Sequence, residues 1–135
     1  RGRAKQEGEG MGVQIIAVSA GAALGALLRW WLGLMLNPIF PTVPLGTLAA
    51  NLIGGFLVGV AAAVFSLKSG LPPELRLLCV TGFLGGLTTF STFSAEVVTL
   101  LERGQFAWGA AAASVHLFGS LALTALGMAA AVMLS

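Results

Sequence analysis

The stretch Val80–Glu96, VTGFLGGLTTFSTFSAE, decides how the chain is read. It opens as an apolar helix and meets three glycines in five residues (Gly82, Gly85, Gly86). It then turns polar, with Thr88, Thr89, Ser91, Thr92 and Ser94 set around Phe90 and Phe93. Unpaired hydroxyl and backbone groups are costly in hydrocarbon, and backbone that leaves the helix at membrane depth persists only against protein or a water-filled cavity. The stretch therefore reads as a broken transmembrane helix lining an ion site.

Composition agrees with a membrane setting. The 135 residues are 57% hydrophobic and 9% charged, with no Asp and no Tyr. Soluble domains carry about 25% charged residues, so this is an all-α integral membrane protein. A net charge of +2 gives no footing for nucleic acid. The single Cys79 lies in an apolar run and reads as a small packing residue. The polar tail, residues 1–12, holds five of the twelve charges and lacks the features of a signal peptide. It is set apart from the membrane domain, residues 13–135.

Four apolar segments are each long enough to cross ~30 Å of hydrocarbon. They run roughly Val13–Leu36, Leu45–Leu67, Leu75–Leu101 and Ala107–Leu134. Pro38, Pro41 and Pro44 punctuate the first loop, Gly70, Pro72 and Pro73 the second, and Gly104 the third. This topology puts Trp30, Trp31 and Trp108 at one interface, where Trp is expected. Small residues recur at four-residue spacing in Gly21/Gly25, Gly55/Gly59 and Gly82/Gly86, which suits close helix approach within or between subunits.

Outside the tail, Lys68 and Arg76 lie on one side and Arg29 and Arg103 on the other. This balance gives the positive-inside rule nothing to act on. Two inverted copies are then expected to insert and pair antiparallel, a single-gene counterpart of inverted repeats. With the tail present at insertion, the count becomes five against two and the argument weakens.

Polar residues in a spanning segment are functional candidates. Asn51, in the second helix, suits contact with an anion through its amide donor, or an interhelical bond. His116, Ser120 and Thr124 form one stripe on the fourth helix, which suits a permeation track or back-bonding to helix carbonyls. Phe90 and Phe93 share a helical face; ring edges would attract an anion and ring faces a cation. Arg29 suits either snorkelling to headgroups or an anion-concentrating vestibule. The roles of His116 and Glu96 stay open. No catalytic set, phosphate loop or zinc spacing is present, which argues against an enzyme.

Four blocks resemble the Fluc (CrcB) family of fluoride channels. They are GAALGALLRW, GTLAANLIGGFLVG, GFLGGLTTFSTFSAE and the hydroxyl-bearing fourth helix. The resemblance implies a dual-topology homodimer in the cell's inner (plasma) membrane with two antiparallel fluoride pores. It implies that Asn51, Phe90 and Phe93 contact the ion, that Ser120 and Thr124 belong to a polar track, and that Arg29 stands at the vestibule. It also implies a structural sodium ion (Na+) at the dimer centre, held by backbone carbonyls of Gly85 and Thr88. On this reading residues 82–88 form the break, and residues 89–94, including Thr89, Ser91 and Thr92, face the pore. The competing class is a small four-helix, proton-coupled multidrug exporter. It needs a membrane-embedded carboxylate, and only Glu96 could serve.

Overall fold

Backbone groups in hydrocarbon must bond within their own segment, and each apolar run answers with a helix. The computed structural model describes all residues, 1–135. Helix α1 spans Gly2–Leu36, and a short 3-10 turn, Asn37–Ile39, follows it. Helix α2 spans Leu45–Leu67. The third span divides into α3, residues 73–87, and α4, Phe90–Glu102. Helix α5 spans Phe106–Met133. There are no strands, and four helical spans are long and apolar enough to cross a membrane. The protein is a multi-pass membrane protein.

The first helix starts earlier than expected: it continues through the polar tail to Gly2, where the apolar pattern begins only at Val13. Tail residues 1–9 are exposed, so this extension is held by its own backbone bonds and buries no apolar face.

Close packing runs through glycine. A Cβ on Gly82 would meet the Val18 carbonyl at 2.7 Å, and one on Gly86 would strike the Ala22 carbonyl. On the facing helix, a Cβ on Gly21 or Gly25 would strike the Leu78 or Phe83 carbonyl. The same device joins α2 to α5, where Gly59 abuts the Thr124 carbonyl and Gly127 the Phe56 carbonyl. The spaced small residues therefore pack helices within one chain. Leu32, Ala50, Leu84 and Leu87 form the main buried cluster. Only 19 of 135 residues are buried, so most of the apolar side-chain surface is left for lipid or another chain.

Phe40, in the first loop, packs edge-on against Trp108 at the start of α5, with ring centroids 5.4 Å apart. On the opposite side, the Arg76 guanidinium lies 5.9 Å from the centre of the Phe65 ring.

Candidate functional site: a groove at the broken helix

The break is narrower than the glycine pattern suggested. Gly82 and Gly86 are helical, pinned against α1, and the chain leaves the helix only at Thr88 (φ −82°, ψ 151°) and Thr89 (φ −147°, ψ 116°). Glycine here serves close approach, while two β-branched threonines accept extended backbone readily. The helix before the break is also unusual. Leu77–Leu84 is π-helical, a winding that is rare and recurs at functional sites.

A long-range partner selects the break point. In a continuous helix the Thr89 N–H would donate to the Gly85 carbonyl. Instead it donates to Asn51 Oδ1 at 2.8 Å, and Asn51 Nδ2 returns a bond to the Thr89 carbonyl at 3.0 Å. The amide thus pairs with an exposed peptide much as a neighbouring strand would. Downstream, Thr89 caps α4: its Oγ1 accepts from the Thr92 N–H at 3.1 Å. That N–H would otherwise have gone to the Thr88 carbonyl. The break therefore strips the carbonyls of Gly85 and Thr88 of their helical donors.

A groove of about 490 Å³ lies beside this break. Gly85, Thr88, Thr89, Phe90 and Phe93 line it from the third span, Asn51 from α2, and His116, Ser120 and Thr124 from α5. No charged side chain lines it. The Phe90 and Phe93 rings meet edge to face at 5.5 Å and 71°. Phe90 is 79% exposed, a large apolar ring on the wall of an uncharged groove.

His116 belongs to the site, although its role was open from sequence. It is buried, packs on Phe93 at 4.5 Å between ring centres, and places Nδ1 3.1 Å from Asn51 Nδ2. With Asn51 donating, Nδ1 accepts and the proton of the neutral ring sits on Nε2. Both N–H groups of Asn51 are then engaged, one by Thr89 and one by His116. An anion reaching Asn51 must displace one of them. The hydroxyl stripe also divides: the one proton of Thr124 Oγ1 is shared between the carbonyls of Gly55 (2.9 Å) and Ser120 (2.8 Å), while the Ser120 hydroxyl makes no bond within the chain.

A second cavity, about 290 Å³, lies on the other side of the break and is lined by Arg29, Asn37, Thr47, Thr89 and Thr92 among others. Thr89 borders both cavities. Arg29 lines this second cavity, and its Nε also donates to the Gly86 carbonyl at 3.0 Å. Asn37 Oδ1 accepts from the Gly46 and Thr47 N–H groups and so caps α2 from the preceding loop. Glu96 accepts from Thr47 Oγ1 at 2.7 Å, and its other oxygen is buried without a partner. It lines neither cavity, and Ser91 likewise lies outside both. No group of three His, Cys, Asp or Glu side chains converges.

These features belong to a small multi-pass membrane protein of the transport class, with two cavities that meet at one extended turn. The chain belongs to the CrcB family: the family model described as "CrcB-like protein, Camphor Resistance (CrcB)" matches residues 16–128. Among its relatives are proteins named "Fluoride-specific ion channel FluC" from Burkholderia lata, Burkholderia cenocepacia and Nitrosospira multiformis. Each is 65% identical over 114 residues, covering 84% of this chain and 89% of the relative.

Proposed function

We propose that this chain is a fluoride-selective passive channel and not an enzyme. The observation that carries the reading is the uncharged groove at the break, where Asn51, Ser120 and the Phe90–Phe93 pair converge. Membership in a family whose close relatives are named fluoride-specific channels supports it. Fluoride holds its hydration shell tightly, so its path needs several weak donors in series: amide, hydroxyl and aromatic edge. Passive conduction suffices for export from a cell in which HF has dissociated, because a negative interior drives an anion out by ~2.3 kcal/mol per 100 mV.

The functional unit in this proposal is an antiparallel homodimer with two pores. The exposed Phe90 ring and the open groove give a second, inverted copy a surface to complete. The stripped carbonyls of Gly85 and Thr88 suit a hard cation, and sodium bound there would supply a structural link between subunits. The multidrug-exporter reading loses support because Glu96 faces Thr47 and stays out of both cavities.

Fluoride efflux from liposomes by Phe90→Ile and Phe93→Ile tests the aromatic contact. Each substitution removes the ring edge while keeping apolar bulk, and both are expected to lower flux at least tenfold. Full flux by both in an assembled dimer would remove the aromatic edge from the mechanism.

A further inference from the structure

In a continuous helix the Gly86 carbonyl would accept from the Phe90 N–H, but Phe90 lies beyond the break. The bond that carbonyl makes instead comes from a residue 57 positions away, Arg29 Nε at 3.0 Å. We propose that Arg29 is a positioning residue for the broken helix. Its Nε–H caps the carbonyl end of α3 and so holds the Thr88–Thr89 turn at which the two cavities meet.

The packing explains why this residue can reach. Gly21 and Gly25 let the backbone of α1 lie directly on α3, against Leu78 and Phe83. Arg29 is the next residue on that same face, one turn past Gly25, and arrives beside the last turn of α3. A cation there meets the partial negative charge of a helix C-terminus. A guanidinium carries five N–H donors. One is spent on Gly86, and the residue lines the second cavity. Arg29 therefore does more than concentrate anions: it replaces a backbone bond lost at mid-span.

The two roles separate by substitution. Arg29→Gln carries an amide nitrogen at the chain position of Nε and has no charge. Arg29→Lys keeps the charge but sets its only nitrogen one bond farther out. Arg29→Met has neither. Full-length protein in liposomes is assayed by amide hydrogen exchange at Thr88 and Thr89, with α2 and α5 amides as internal reference, and by fluoride efflux at low and high salt. The flux arm rests on the channel reading; the exchange arm does not.

Loss of a charge-assisted bond predicts that Arg29→Met raises local opening at Thr88 and Thr89 about tenfold or more, with the reference amides unchanged. Arg29→Gln is expected to stay within about threefold of native in exchange. At high salt, where charge is screened, it is expected to conduct better than Arg29→Lys. The proposal is overturned if the break amides exchange alike in all four proteins. It is also overturned if Arg29→Lys matches native in both assays while Arg29→Gln behaves like Arg29→Met. Should Arg29→Met fail to assemble, the Gln and Lys pair still decides. The expected exchange order with no fluoride flux even in native protein would uphold the positioning role and remove the channel reading.

Discussion

Replacing Asn51 by aspartate changes almost no volume and reverses the chemistry of one atom. The oxygen that accepts from the Thr89 N–H at 2.8 Å is kept. The nitrogen that donates to the Thr89 carbonyl (3.0 Å) and meets His116 Nδ1 (3.1 Å) becomes a second oxygen. Two donor bonds are lost; at ~0.6 kcal/mol each on average for bonds between membrane helices, with a maximum near 1.7, that is about 1–3 kcal/mol. The charge acts more strongly. A carboxylate about 4 Å from a passing anion repels it by ~4 kcal/mol at an effective dielectric of 20. At 1.4 kcal/mol per factor of ten, that lowers fluoride occupancy roughly a thousandfold. Repulsion therefore outweighs destabilisation, and Asn51→Asp is expected to assemble and insert yet lose nearly all flux. The assay is fluoride efflux from liposomes at matched protein content, with the oligomer checked by crosslinking. Efflux within threefold of native would refute the placement of Asn51 on the ion path.

Three further outcomes follow from the geometry. Gly86→Ala drives a methyl into the Ala22 carbonyl and should lower stability in detergent by about 1–3 kcal/mol, whereas Gly85→Ala, whose Cβ meets only the Val80 carbonyl at 3.7 Å, should leave the packing of the subunit unchanged. Equal unfolding midpoints for the two would contradict the helix contact described. Thr47→Val removes the donor to Glu96 and should cost about 1–3 kcal/mol, while Thr47→Ser should restore it; the check is the same unfolding measurement, and indistinguishable variants would count against the pair. Replacing sodium with a large organic cation should weaken dimerisation and fluoride flux together, and indifference to sodium would dispose of the carbonyl-bound cation.

The four spans were legible because hydropathy and helix length are local properties, and Pro and Gly mark the loops between them. Asn51, Ser120 and Thr124 stood out in sequence because polar residues are rare in these spans, but only the family resemblance set them beside Phe90 and Phe93, with which they line one groove. The break itself was misplaced. Its glycines read as weak points in a helix, but Gly82 and Gly86 each abut a carbonyl on α1, far away in sequence. The true break depends on Asn51, 38 residues from Thr89. His116 gave a visible signal as the first member of its stripe, yet its acceptor role needed the distance to Asn51. The π-helical turns leave no hydrophobic period to read, and the back-bonded Thr124 hydroxyl looks in sequence no different from the unbonded one at Ser120.

The central claim is that the groove passes fluoride passively and selectively. Native protein in liposomes, with no proton gradient, is loaded in turn with fluoride and chloride, and efflux is followed with an ion-selective electrode. Rapid fluoride efflux with chloride at the protein-free rate is the predicted result. Comparable efflux of both anions, or fluoride movement only when a proton gradient is imposed, would contradict it.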